Sequence, residues 1–554
     1  MKMTRHIGLV VRRLVLLCGV PAFAVTASTA LTPSIAATEG AASAPGSIVM
    51  RRLTPEQYEH IITQTFGADV SAVARFSDQV RESGLIAISA SRTTITGPEM
   101  EQFDGLARGI AEKVVDKDHR DSLVPCKPAS LKAADDACAR QFLTSGGRTL
   151  YRRPLSEAEV ETNVKAAGDA ARATKNFYDG LSLSLAAMLI SPDFLFRVES
   201  TDLKSGQGVL DAYSKASRLS FFLWNTQPDD VLLKAAARGD LETPKGLAAQ
   251  VDRMVASRRF ETAMRAFVSD LLMFDEFNAL NKDAMIYPRF TQKVTQDAQE
   301  QTMRTLIDLL LTRNGDYRDI FTTRRTFLTP SLGSLYRVPV AKTTPNMEPA
   351  DWVPVEYPEG DARAGILTQA SFVALHAHPG RSSPTLRGKA LREILLCQRV
   401  PDPPGNVNFT VVQDTTNPNY KTARERLTAH ATEAMCTGCH KITDPMGLAL
   451  DVFDGAGSFR STENGAAIDG SGTVDGIAFK NAVELGKVLH DHPSPPKCLV
   501  TRLTSYALGR VPLAGEKSWI DGLQAGFAAD GYRVPDLFKK VATSPEFFKV
   551  AAEK

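Results

Sequence analysis

One short segment constrains this chain more than any other. In AMCTGCHKITDPMGLALDVFDGAGSFR, from Ala434 to Arg460, Cys436, Cys439 and His440 form CxxCH, the attachment signature of a c-type haem. Two thiols three positions apart can add to the two vinyl groups of one porphyrin, and the next residue's imidazole then lies under the iron as its proximal ligand. The motif occurs once, so one haem c is expected, with His440 the metal ligand. A zinc half-site is the first competitor, but no second CxxC or HxxxH follows to complete four ligands. A thioredoxin-like dithiol is the second. It usually opens a helix after a strand, whereas ARERLTAHATEAM before Cys436 reads as helix.

Haem attachment requires export, and the N-terminus predicts it. Lys2, Arg5, Arg12 and Arg13 precede an apolar run from Leu14 to Val25 and then small residues through Ala37, the three-part pattern of a secretory signal peptide over residues 1–37. Cleavage is expected between Ala24 and Ala37. The pair Arg12 and Arg13 allows a twin-arginine reading, which the export of unfolded chains for haem attachment disfavours. Cys18 lies in the apolar run, but Leu17 before it is too large for a lipoprotein cleavage site. No later stretch approaches 18 apolar residues, so no membrane span is expected after cleavage, and the localisation read from the sequence is periplasmic or secreted.

An oxidising compartment makes cysteine arithmetic informative. Seven cysteines less Cys18 and the CxxCH pair leave Cys126, Cys138, Cys397 and Cys498, an even number. Cys126 and Cys138 would close a short loop, for which the chain-entropy model gives about 3 kcal/mol. That leaves Cys397 to link with Cys498 across the CxxCH segment. Buried thiols in place of the second bond are the alternative.

Helical periodicity dominates the 554 residues, which are too many for one core. RLTPEQYEHIITQTF starts with Thr54 as N-cap, Pro55 in the first turn and Gln57 closing a capping box, with Tyr58, Ile61, Ile62 and Phe66 on one face. Similar stripes run through Tyr178, Leu181, Leu185, Met188 and Leu189, ending at Ser191 and Pro192, and through Leu247, Val251, Met254 and Val255, then Phe260, Met264, Phe267 and Leu271. Pro339 to Gly360 lacks periodicity and reads as a linker. Pro401 to Tyr420, with PDPPGN and NPN, reads as a surface wrap. IDGSGTVDGIAF, Ile468 to Phe479, reads as a small hairpin, not a calcium loop, because the EF-hand glutamate is missing.

A formal charge of +2, with charges scattered, gives no basis for nucleic-acid binding. No GxSxG, HExxH, P-loop or dinucleotide fingerprint appears in a suitable setting. Asp229, Asp230, Asp316 and Asp319 sit among turn residues, where capping explains them.

Several segments in order carry a resemblance: RRLTPEQYEHII, CARQFLTSGGRTLYRRPLSEAEV, ISPDFLFRVES, ASRLSFFLWNTQPDDVLLKAAARGDL, NGDYRDIFTTRRTFLTPSLGSLY, SSPTLRGKALREILLCQRVPDPPGNV, the CxxCH block, and CLVTRLTSYALGR. Together they resemble the large secreted proteins, abundant in planctomycetes and found in proteobacteria, that string domains of unknown function 1587, 1595, 1592, 1588 and 1585 around a cytochrome-c-like CxxCH segment. The resemblance brings no substrate. With the periodicity it implies a mainly α, multidomain protein: a signal peptide (1–37), helical segments at 38–125, 126–200 and 201–338, a linker at 339–360, a cytochrome-c-like haem region at 361–465 with the hairpin beyond it, and a C-terminal helical domain at 466–554.

Within that pattern Asp444 and Pro445 would stop the haem helix, and Gly447 would let the backbone pass close to the porphyrin. Leu450, Phe453 and Phe459 could pack on it, or could be ordinary core. Arg387 and Arg460 are candidate propionate partners, although lone arginines in polar contexts are more often surface or structural ion-pair residues. The sixth iron ligand separates carrier from catalyst. Met446 lies six residues past His440, closer than most small cytochromes place their methionine. His376, His378, His430, His490 and His492 remain; His378 and His492, in loops before prolines, are slightly favoured, and an open iron is the further option. The sequence therefore supports a haem-dependent oxidoreductase that accepts or relays electrons, served by haem-attachment machinery and a periplasmic electron donor or acceptor. A non-catalytic electron-transfer or binding subunit, partnering a dehydrogenase or an extracellular polymer, is the competitor, and a structural protein with a degenerate site is the remote one.

Overall fold

The helices start where side chains can satisfy their free N–H groups. In the computed structural model, which describes residues 50–70, 80–201, 208–340, 351–402, 410–432 and 434–550, strand β1 (Arg51–Arg52) leads into α1 (Pro55–Phe66). Its capping box joins Thr54 and Gln57 in both directions, and it buries Tyr58, Ile61, Ile62 and Phe66 as the periodicity predicts. Helices α2 (Glu157–Thr174) and α3 (Phe177–Leu189) pack against each other within a first core running from Leu53 to Phe221. The expected signal peptide lies outside the described residues.

β2 (Phe196–Arg197) pairs antiparallel with β1, Arg51 opposite Arg197, and brings the end of the first core back to its beginning. Next comes α4 (Ala212–Trp224), in which every residue from Ser214 to Trp224 is buried. A helix covered all round has no solvent face. The reason here is that Phe221 joins the first core while Phe222, Leu223 and Trp224 join a second, which then continues to Phe548.

That second core takes in α5 (Arg259–Leu271), α6 (Gln292–Ile307) and apolar residues of many later elements, through Phe548. It crosses the boundaries expected at 338, 360 and 465, so the segments drawn as separate domains share one interior. The expected linker is partly a strand: β3 (Arg325–Leu328) pairs with β4 (Val353–Glu356) in antiparallel register, Arg325 opposite Glu356; residues 341–350 lie outside the described set. No helix among the described residues is long and apolar enough to cross a membrane.

The C-terminal half holds α7 (Pro384–Ala390), α8 (Ala423–His430) and α9 (Ala434–Ala449), which carries the CxxCH motif. Two hairpins follow, β5 (Thr462–Glu463) with β6 (Ala466–Ala467) and β7 (Gly472–Val474) with β8 (Ile477–Phe479). The second is the expected hairpin, and Asp475 and Gly476 at its tip both take positive φ, as a two-residue turn requires. Contrary to expectation, Pro445 does not stop the helix; α9 runs through it to Ala449. The proline ring removes one backbone donor, but packing on α7 holds the helix together.

Cys126 bonds Cys138 and Cys397 bonds Cys498, both as paired from the sequence. The second ties α10 (Ser494–Leu508) to the segment after α7 across 101 residues. For a loop of that length the chain-entropy model gives about 4 to 5 kcal/mol. Replacing both Cys397 and Cys498 by alanine should therefore lower the thermal midpoint by several degrees in a calorimetric scan under non-reducing conditions, and an unchanged midpoint would contradict this role.

Candidate functional site

α9 is pressed onto α7 without side chains between them. A Cβ on Gly447 would overlap the carbonyl of Pro384, and one on Gly388 would overlap that of Thr443. Gly447 thus permits an approach of helix to helix, not of backbone to porphyrin as expected. Across the contact Thr385 Oγ1 donates to Asp444 Oδ1 at 2.9 Å, and Arg392 Nε donates to the Ile442 carbonyl at 3.0 Å.

This clasp orients His440. Its Nδ1 lies 2.7 Å from Asp444 Oδ2, one helical turn on, and its ring meets that of His430 edge-on at 5.0 Å. A carboxylate at Nδ1 places the ring proton there and leaves the Nε2 lone pair for a metal. Cys436 is buried and Cys439 half-buried, and neither is in a disulfide.

Cys439 and His440 face a cavity of ≈ 420 Å³ whose walls include Pro384, Leu386, Val400, Pro401, Val412 and Leu427. The volume and the apolar walls are those of cofactor and ligand sites. The stretch from Pro401 to Tyr420, read as a surface wrap, thus supplies part of one wall; residues 403–409 lie outside the described set.

Of the far-side ligands His378, His492 and Met446 the structure brings one to this cavity. His378 lines it, half-buried, its ring without a hydrogen bond among the described residues. Burial, then the neighbouring Arg381 and Lys282 charges, lowers its pKa to about 4, so the imidazole is neutral near pH 7. Lys282 Nζ donates to the carbonyls of Ala377 and His378 at 3.1 Å and pins this loop. His430, weighed but not favoured in the sequence, also lines the cavity.

The others lie elsewhere. Met446 is fully buried in the second core. Six residues along a helix turn it by about 240° from His440, onto the packed side. The ring of His492 is engaged at both nitrogens, by Asp475 Oδ2 at 3.3 Å and the Ser494 amide at 3.2 Å. The Cys397–Cys498 bond does not bring it to the cavity.

Both expected propionate partners prove structural. Arg387 is fully buried and donates to the carbonyls of Val373, Leu450, Phe453 and Asp454 at 2.6–3.2 Å. Arg460 binds the carboxylate and carbonyl of Asp451 at 3.0 and 3.1 Å. Leu450 and Phe453 belong to the core, and Phe459 meets Phe453 edge-on.

The cations that do line the cavity are Arg381, Lys389 and Arg426. Arg426 is paired with buried Glu463 at 2.6 Å and Lys389 with Asp402 at 2.8 Å. Arg381 has no carboxylate partner among the described residues; burial and then repulsion by Arg426 lower its pKa. The clue to it in the sequence was its place in HPGRSSPTLRG, three residues past His378.

Four family models match, each described as a protein of unknown function: DUF1595 over residues 138–199, DUF1592 over 210–338, DUF1588 over 363–463 and DUF1585 over 475–547. The DUF1588 span contains every residue that lines the cavity. The segment RRLTPEQYEHII lies outside these four matches. Neither a curated protein nor a solved structure matches the chain.

Gly447→Ala should disrupt the site from behind. A methyl forced against backbone has no rotamer to escape into, so the cost should reach about 3 kcal/mol, the upper end for overpacking. Denaturant unfolding checks it, and a variant as stable as the wild type would contradict the contact.

Proposed function

We propose that this chain, which belongs to the multidomain proteins carrying DUF1595, DUF1592, DUF1588 and DUF1585 in tandem, is a periplasmic or secreted oxidoreductase that accepts or relays electrons through one haem c at Cys436, Cys439 and His440. The observation that carries this reading is that CxxCH stands on a helix opening, through Cys439 and His440, onto an apolar cavity. The export pattern before Ala37 and the two disulfides support the compartment.

The donor set fits the group. Two thiols three positions apart on a helix lie on one side of it, with the imidazole one position further. When bound, haem c supplies one-electron exchange at iron. The chain's own residues set the conditions. Asp444, held by Thr385, fixes the orientation of the His440 ring and leaves its Nε2 free to ligate. Leu386, Val400, Pro401 and Leu427 give the cavity an apolar wall, and Arg381 offers a cation to a propionate. His378, lining the same cavity with an uncommitted ring, favours a second reading in which the far side is closed and the protein only passes electrons.

Two measurements separate these outcomes. Cys439→Ser, made alongside the attachment machinery, should retain little covalent haem in a pyridine haemochrome spectrum of the denatured protein, and an unchanged haem content would overturn the site. Carbon monoxide added to the reduced wild type should bind readily if the iron is open for chemistry. If His378 closes it, only His378→Ala should bind the gas fully.

A further inference from the structure

A second cavity, of ≈ 540 Å³, lies where the two cores meet, and it shares no lining residue with the first. Phe221 of the first core and Phe222 of the second both line it. None of its lining residues falls within the match that holds CxxCH. Its charges are balanced: Arg51, Arg52, Arg197 and Arg218 stand on the same wall as Glu56, Asp270, Asp275 and Glu276. A ligand carrying net charge of either sign would therefore meet repulsion there as well as attraction.

Some of these groups are committed to the fold. Arg52 pairs with Glu99 at 2.9 Å, and Arg218 Nε donates to Glu199 at 2.8 Å. Arg51 is 1% exposed and turns its Nη1 to the Ala507 carbonyl at 3.0 Å. Asp270 accepts from Arg81 and from the Ile86 amide, both at 2.8 Å, and Arg81 also holds Asp275. Other groups are free of such ties. The side chains of Arg197, Ser269, Glu276, Asn278 and Tyr506 line the cavity and make no hydrogen bond among the described residues. Glu276 and Asn278 are exposed; Arg197, Ser269 and Tyr506 are half-buried, and of their polar side-chain atoms only Arg197 Nε is closed to solvent. Glu56 spends Oε2 on the Asn225 amide at 3.0 Å and leaves Oε1 uncommitted, while burial among its neighbours raises its carboxyl pKa. Between these polar groups stand Ile86, Ala87, Ala90 and Ala266.

We infer that this cavity binds a neutral, polyhydroxylated molecule, a monosaccharide or disaccharide. A sugar hydroxyl both donates and accepts, so one ring can accept from Arg197 and donate to Glu56 or Glu276 without bringing in charge of its own. Ser269, Asn278 and Tyr506 can likewise do either, and so suit hydroxyls in whichever sense these present themselves. The alanines and Ile86 offer apolar surface to the C–H faces of the ring. A volume of ≈ 540 Å³ lies within the range of small-molecule sites. The inference goes beyond the haem reading and does not rest on it.

The test applies the full exported chain to an array of neutral, sulfated, uronic and amino glycans, followed by calorimetric titration with the neutral saccharide retained best. One saturable site is expected, with a Kd below about 1 mM. The double variant Tyr506→Phe, Glu276→Gln removes no hydrogen bond of the fold and keeps the Tyr506 ring edge-on to Phe267. It should weaken binding at least about tenfold with the helical circular dichroism unchanged. Retention of no glycan, retention of charged glycans alone, or undiminished binding by the variant would each overturn the inference. Should the double variant not fold, Glu276→Gln alone, at an exposed position, decides: about threefold weaker binding is expected, and an unchanged affinity overturns the site. Haem content enters none of these readings, so failure here is distinct from failure of the haem site.

Discussion

The contact on which the site depends is between two backbones. Gly388 and Gly447 let α7 and α9 meet with no side chain between them, and this closeness fixes where His440 can stand. Hydrogen bonds from Thr385 and Arg392 then set the register of one helix along the other. Close packing also explains how α9 tolerates Pro445. A proline within a helix forfeits a hydrogen bond and costs about 3 kcal/mol in isolation, so a helix that survives it is supported from outside. With Pro384 beneath Gly447 and Gly388 beneath Thr443, the two turns flanking Pro445 are both held.

Arginine does the corresponding work for irregular backbone. A large interior with many short elements buries carbonyl groups that no helix or strand satisfies. Arg387 serves four of them, Arg363 those of Thr368 and Gly457, and Arg152 those of Asp193, Phe194 and Phe196. In each case one planar cation replaces several lone donors, which lets loops lie inside the fold. Arg51 and Arg197 depart from this pattern. Arg51 is buried as deeply and Arg197 less so, yet both leave donors unspent, and they line a cavity instead of a loop.

Features set by neighbours in sequence were legible from it. The capping box at Thr54 and Gln57, the stripe of Tyr58, Ile61, Ile62 and Phe66, the Asp475–Gly476 turn and the loop closed by Cys126 and Cys138 all rest on local chemistry. Features set by distant contacts were not. Pro445 reads as a stop because the helix α7 that overrides it lies far off in sequence. Arg387 and Arg381 are six positions apart in one loop and helix, and nothing local says that the first meets carbonyls while the second meets a cavity. Met446 and His492 have the right atoms for a metal, but the core around one and Asp475 beside the other engage them first. Charge counting over the whole chain likewise hid the buried arginines, since a net charge of +2 says nothing of where charges of either sign gather.

The proposed role of the chain requires His440 to anchor a covalently held haem beside an apolar cavity. Its most direct test is the intact mass of the exported, disulfide-bonded chain produced in cells that attach haem. The mass of the mature polypeptide plus one haem, with Cys436 and Cys439 refractory to alkylation after denaturation, is the result predicted. The mass of the bare polypeptide, with both of these thiols alkylated, would contradict it.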